Sequence, residues 1–439
     1  MTVDSLPPVR SEQRTLDFST PYKIYVLLLL VLVYISNYTD RVLLTVLLPS
    51  IKAEFHLSDT QLGLMSGTAF ALFYATLGIP IARFADRGNR KFVIVASVAV
   101  WSVMTAICGT AQSFVQLALA RVGVGIGEAG SNPPSHAIIS DLFSLKRRAT
   151  AMGIYSQGVS IGLVVGIYGG AHIMAAYGWR AAFLSLGLPG LLISLLAQAT
   201  LREPHRGASE GHAAVGDAPP LAQVLRFMAS QRALVHTTIG ATLATLVGYS
   251  GVLWWPTFIV RSHGLSMADM SLFLALIFGA ASGLGIFIGG LVSDWSSRHD
   301  VAWMPRVVTW AILLGLPFGI AIYLVNNSTI VFLLIGIPAF AGGFYLSPSI
   351  AITQSLVSVR MRTVASALLL FVINLVGMGL GSLMVGMLSD AFEPQFGKDA
   401  LRYALLVMMS FNLWAAFHYW RAGRFMAGDL ARATAESRK

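Results

Sequence analysis

Charge is what this sequence has least of. Asp, Glu, Lys and Arg make up 11% of its 439 residues, against about 25% in an ordinary globular chain. Hydrophobic residues make up 56%. Too little polar surface remains to coat a water-soluble protein of this length, so an assembly of soluble domains is excluded and lipid must be the solvent. Cysteine is nearly missing as well. The single Cys108 cannot form an intramolecular disulfide, and it lies in an apolar run, which argues against redox chemistry. The opening stretch MTVDSLPPVRSEQRTLDFSTPYK is polar and holds no cleavable apolar core, so no signal peptide is expected. The first apolar run is then itself the membrane address.

What the chain does have is long apolar runs, each able to cross about 30 Å of hydrocarbon. Twelve are expected, near 22–50, 61–83, 91–109, 114–140, 149–177, 180–201, 233–260, 267–292, 306–326, 329–356, 363–388 and 401–420. Their length and lack of alternation predict helices, because each backbone group must be satisfied within its own segment. The fold class expected is an all-α membrane protein of twelve transmembrane helices. The net charge of +10 does not point to nucleic acid. With both termini placed in the cytoplasm, 23 of the 30 Lys and Arg fall in cytoplasmic segments, five on the other side and two within spans. That bias sets orientation in a bacterial-type inner membrane.

The one long polar break, REPHRGASEGHAAVGDAPP, divides six spans from six and reads as a flexible linker. The expected organisation is a first bundle at 1–202, a cytoplasmic linker at 203–232, a second bundle at 233–421 and a cytoplasmic tail at 422–439. After the break, Leu221, Val224, Leu225 and Met228 recur at helical spacing, which suits either a helix on the membrane surface or an early start of the seventh span. The two halves echo each other. Ala82, Asp86 and Arg90 follow the second span, and Gly290, Asp294 and Arg298 follow the eighth at the same spacing. RRATA before the fifth span matches MRTVA before the eleventh, so a duplicated six-span unit is expected.

Away from the span ends, charges inside spans are confined to the first half. Asp40 and Arg41 sit in the first span, and Arg121 and Glu128 in the fourth. Each costs roughly 2.5 to 3.5 kcal/mol at the bilayer centre on insertion scales. Arg121 and Glu128 share one helix face, about 10.5 Å apart along the axis. By depth they bracket Asp40 and Arg41, so two acids and two bases can neutralise one another if the two helices meet. Such a cluster either pins helices together or marks an ion or substrate path. It stabilises poorly for its kind, which favours a proton-coupling site. The second half offers Tyr249, Trp254, Trp255, Tyr345, Ser347, Thr353 and Asn374 instead. One charged wall and one apolar, aromatic wall would suit an amphiphile, although Trp254 and Trp255 also fit interfacial anchors.

Glycines four apart, at 158, 162, 166 and 170, at 279, 283 and again 285 and 289, and at 377 and 381, fit close helix packing or smooth faces on which two bundles rock. GVGIG at 123–127 follows no strand and is no dinucleotide loop. Ser131, Ser135 and His136 are interrupted by Pro133 and Pro134 and lack an orienting acid, so a hydrolase is not expected. His172 and His263 stand alone, and no metal site is expected.

ADRGNRK with Asp86, Arg87, Arg90 and Lys91, its echo at Asp294 and Arg298, RVGVGIGEA, GWRAAF and REP together resemble the major facilitator superfamily over essentially the whole chain. Ala82 and Asn89 depart from glycines of its hairpin motif, and Leu163 stands where drug antiporters often have proline. NYTDR, GEA and DRGNRK are similar to the Spinster-like branch. The resemblance implies two pseudo-symmetric six-helix bundles and transport of lysolipids or sphingosine-1-phosphate-like lipids, with proton dependence for some members. By position it makes Asp40, Arg41, Arg121 and Glu128 the proton-sensing and headgroup-facing set. Asp86, Arg87, Arg90, Asp294 and Arg298 become a cytoplasmic latch between halves.

The function expected is proton-coupled secondary transport by alternating access, exporting an amphiphilic or lipid-like molecule. In it, protonation of Glu128 or Asp40 weakens a pairing with Arg121. Substrate contacts are expected from Arg121, Tyr249, Trp254, Ser347, Thr353 and Asn374. The rival keeps the fold but carries small organic anions gripped by Arg121. Neither needs a cofactor, an enzyme's catalytic group or more than a monomer; the partners are substrate, protons and the bilayer.

Overall fold

The computed structural model describes residues 18–143, 145–204, 220–358 and 361–436, and it is helical throughout, with no strand among those residues. Twelve rods result: α1 (Thr20–Phe55), α2 (59–87), α3 (Arg90–Cys108), α4 (114–142), α5 (145–177), α6 (178–200), α7 (Arg232–His263), α8 (Met267–Ser297), α9 (Trp303–Leu324), α10 (Ser328–Leu356), α11 (362–396) and α12 (400–436). By length and hydropathy alone eight helical stretches qualify as membrane spans. Two of these eight each contain two rods. One is Ala151–Thr200, split where Gly178 takes φ 84° and ψ 166°, a backbone region essentially closed to other residues. The other is Val364–Ala433, and α2 and α4 complete the twelve.

Local breaks repeat between the halves more faithfully than the sequence does. Four π-helical turns, Leu64–Thr68, Val165–Gly169, Ile277–Ala281 and Ile373–Met378, fall in α2, α5, α8 and α11. Those are the second and fifth rods of each half. The fourth rod is interrupted in both: α4 between Glu128 and Asn132, α10 between Gly343 and Leu346. The duplication thus reaches the backbone irregularities, which occur preferentially at functional positions.

The halves meet through α1 with α7, α2 with α11 and α5 with α8. Their tightest contacts lie at the end opposite the linker. A Cβ on Gly63 would come within 2.4 Å of the Ser382 carbonyl oxygen, and one on Gly386 within 2.2 Å of that of Asp59. The glycine ladder of α5 serves a different seam. Gly158, Gly162 and Gly166 seat Tyr34, Tyr38 and Val42 of α1, and the Thr39 hydroxyl donates to the Gly162 carbonyl. It is packing within one half; the sliding-face expectation does not hold for this ladder. Gly285 and Gly289 likewise pack on α10, and Gly377 and Gly381 on α7.

Residues 221–230 form a separate helix, Leu221–Ser230, ended by extended backbone at Gln231. Val224 is its buried contact, while Leu221 and Leu225 remain exposed. Residues 422–436 are no separate tail but the continuation of α12. There Asp429 is buried and accepts the Ala233 N–H at 2.6 Å, capping the start of α7.

Candidate functional site

α1 and α4 cross inside the first half, and the four intramembrane charges do meet. The pairing differs from the expected one. Arg41, not Arg121, holds Glu128: its Nε and Nη2 donate to one carboxylate oxygen at 3.1 and 2.8 Å. Arg121 is 1% exposed and reaches instead the backbone carbonyl of Asp40, at 3.4 Å. The Asp40 carboxylate is fully buried, with the Thr105 hydroxyl of α3 beside it. Axial spacing placed these side chains at the right depth; helix rotation decided the partners.

Arg41 is also boxed by aromatic rings. Tyr38, Phe70 and Tyr74 stand 5.1, 5.1 and 4.9 Å from its guanidinium, within the range of cation–π attraction. With 11% of its side chain accessible, Arg41 is the member of the quartet that reaches the space between the halves; Glu128 behind it is fully buried. Arg121, expected to contact substrate, is closed off from that space in this structure.

Facing it, the second half contains a cavity of about 240 Å³. Tyr249, Thr245 and Tyr345 give it a polar lip, with the Thr245 hydroxyl donating to the Tyr345 oxygen at 2.9 Å. Trp255, Phe278 and Tyr323 form its apolar depth, where the Trp255 N–H donates to the Tyr323 oxygen at 2.6 Å. Tyr249 is close enough to Arg41 and Tyr38 to interact with them electrostatically. The charged wall and the aromatic wall thus adjoin across the midplane.

Other expected contacts lie elsewhere. Trp254 is fully buried, its indole N–H donating to the Ser382 carbonyl and hydroxyl at 3.2 Å, so it packs α7 on α11 rather than lining a cavity. Thr353 is buried and bonds back to the Ser349 carbonyl, and Ser347 bonds to the Ile286 carbonyl. Asn374 is half-buried in the π-helical turn of α11, outside the cavity lining. Ser135 bonds to the Ser131 carbonyl, and His136 packs against Tyr155.

Of the expected latch, the side chains of Asp86 and Arg87 lie outside the described residues. Arg90 binds Asp141 at 2.5 Å, Glu203 at 2.6 Å and the Pro204 carbonyl. Asp141 belongs to the first half and Glu203 and Pro204 begin the linker, so Arg90 ties the start of the linker to the first half, and none of these partners lies in the second. Asp294 and Arg298 are exposed and form no ion pair among the described residues.

The lock that does join the halves was not foreseen, and it sits at the opposite end. Asp59, at the cap preceding the apolar run of α2, receives Arg261 of α7 through two bonds of 2.6 Å, Lys52 at 2.6 Å and the Ser389 hydroxyl of α11 at 2.6 Å. Asp390 of α11 in turn accepts the N–H groups of Asp59 and Thr60 at 2.8 Å, capping α2 from the other half. Burial pushes the Asp59 carboxyl up, but Arg261, with Lys52 and Ser389, outweighs it and brings the carboxyl down to about 2. In the sequence these charges sit at span ends, where charge is ordinary; only the Ser58-to-Gln61 capping box marked the place.

Comparison with known proteins agrees with this architecture. A crystal structure of a bacterial homologue of the human lysosomal transporter Spinster, in an inward-facing and unoccupied conformation, superposes with a TM-score of 0.86 at 33% identity, covering 94% of this chain and 99% of that one. An MFS-type efflux pump of Mycolicibacterium smegmatis is 34% identical over 404 residues, 91% of this chain and 92% of its own. A probable L-galactonate transporter of Escherichia coli is 28% identical over 290 residues, 63% of this chain and 62% of its own. The family model of the Major Facilitator Superfamily matches residues 30–382. The chain belongs to the Major Facilitator Superfamily of membrane transporters, and within it to the Spinster-like branch.

Proposed function

We propose that this protein is a proton-coupled secondary transporter that carries an amphiphilic, anionic or zwitterionic molecule by alternating access. The observation that carries the reading is the adjacency of Arg41 and the second-half cavity: one accessible guanidinium, backed by a buried carboxylate, opposite a pocket with a polar lip and an aromatic depth. A headgroup would take Arg41 while an apolar tail enters the pocket. Headgroup and Glu128 then compete for one guanidinium, so cavity occupancy and the protonation of Glu128 are thermodynamically linked. The halves are locked opposite the linker through Asp59, which fits a state closed at that end, and the strong basic bias supports a cytoplasmic linker. Export is the direction supported by the name of the mycobacterial relative, and a bacterial-type inner membrane with both termini cytoplasmic is the setting that fits.

The rival cargo, a sugar acid or similar small anion, keeps the Arg41 contact but leaves the aromatic depth without a role; the L-galactonate relative is what favours it. Reconstituted protein, given lysophosphatidylglycerol or glucuronate under pH gradients of either polarity, separates the two. Gradient-dependent, saturable movement of the lysolipid, inhibited weakly by glucuronate, is expected. The reverse pattern would overturn the amphiphile in favour of the small anion.

A further inference from the structure

A second and larger cavity opens on the outside of the same half. It is a groove of about 730 Å³ between α8, α9 and α10, within the range of small-molecule sites. α9 lays a stripe along it, Trp303, Trp310, Leu314 and Phe318, with Trp295 from α8 and Phe340 from α10 opposite. Trp295 and Leu314 are 63% and 68% exposed, so the groove faces hydrocarbon. Towards the linker end it finishes at His299, beside exposed Arg298. Arg306 follows, its guanidinium over Trp303 and Trp420 and 3.8 Å from the Asp300 carboxylate. The groove therefore pairs an apolar bed with a charged end, where Arg298 and Arg306 stand among the carboxylates of Asp294 and Asp300.

Gly315 and Ala341 line both this groove and the interior cavity. At this shared point the helices approach closely, since a Cβ added to Gly315 would lie 2.8 Å from the Ala341 Cβ, and Pro338 packs near Gly315 and Gly319 beside it. Each helix carries a proline within a turn of the contact, Pro317 in α9 and Pro338 in α10. Each proline removes an intrahelical hydrogen bond, so both helices can bend near the point where the two cavities adjoin.

We propose that the α9–α10 seam is a lateral portal, through which the hydrocarbon tail of a single-chain anionic amphiphile passes between the bilayer and the interior cavity, its headgroup held near Arg298 and Arg306. The proposal rests on the amphiphile reading above and gives the tail its route. A lipid merely filling the groove would never label the interior, and that difference is measurable.

The experiment uses the full chain in nanodiscs with lysophosphatidylglycerol bearing a photoreactive group near its tail end, crosslinks being mapped by mass spectrometry. In the unaltered protein, labels are expected at Trp310 or Phe340 in the groove and at Leu316 or Met409 inside. Ala311→Trp, which fills the groove from the lipid side, should lower the interior labels several-fold. Ala311→Leu should lower them less, and Leu192→Trp on the lipid face of the first half should leave them unchanged. Interior labelling equal in Ala311→Trp and the unaltered protein overturns the portal. If that happens while the lysolipid is still transported, the amphiphile reading stands and the tail arrives by another route. If the unaltered protein neither labels inside nor transports it, both fail. Should Ala311→Trp not fold, the graded Ala311→Leu comparison decides alone.

Discussion

Replacing Asp59 with Asn should unlock the end of the molecule opposite the linker. The carboxylate holds two cations and a hydroxyl from three helices, and Asn keeps its volume while losing the charge. Breaking a buried pair by removing one partner costs about 3 to 5 kcal/mol. Here Arg261 and Lys52 stay 21% and 26% accessible, so water recovers part of that. The depressed carboxyl, about 2 against an ordinary 3.8, gives about 2 kcal/mol independently. At that size the ratio of locked to unlocked molecules falls about 30-fold, and an open state populated near 1% rises to roughly a fifth. The assay is a distance distribution between spin labels at Gln112→Cys and Lys398→Cys, exposed positions of opposite halves; the native Cys108 is fully buried and will not compete for label. A second, longer distance should appear in the Asn variant. Because the folded pKa lies below the ordinary value, the lock is fully present above the usual carboxylate range and is lost only as pH falls through about 2. Lowering pH from 8 to 5 should therefore leave the Asp59 lock unbroken. An unchanged distribution in the Asn variant would refute the assignment of the lock.

Other outcomes follow from the same contacts. Gly386→Ala places a Cβ 2.2 Å from the Asp59 carbonyl oxygen, and should separate α2 from α11, raising the longer distance as Asp59→Asn does. Arg90→Ala leaves Asp141 and Glu203 without their guanidinium; thermal unfolding should shift down by an amount corresponding to about 3 kcal/mol or more, while the label distances in the folded fraction stay as they are. A changed distance distribution there would restore Arg90 to a role between the halves.

Much of this architecture could be read before any coordinates, and the reason is energetic. An apolar run long enough to cross a bilayer has few alternative structures, so most of the rods follow from hydropathy, α2 and α4 being the two that do not qualify on it alone. Asp40, Arg41, Arg121 and Glu128 stood out because a charge inside such a run is expensive. What the runs do not encode is rotation about the helix axis. Arg41 rather than Arg121 holds Glu128, and Trp254 turns towards Ser382 instead of the cavity. The Asp59 lock escaped for the opposite reason. Its members flank spans, where a charged residue needs no explanation, and their meeting depends on four helices from two halves. The glycine ladder of α5 was visible, yet only packing tells whether such a face meets its own half or the other.

The central claim is that the ion pair of Arg41 and Glu128 links protons to the movement of cargo. Proteoliposomes containing Glu128→Gln test it most directly, comparing lysophosphatidylglycerol transport under an imposed pH gradient with its exchange in the absence of one. Loss of the gradient-driven component with exchange retained is the predicted result. Gradient-driven transport as large as that of the unaltered protein would contradict the account.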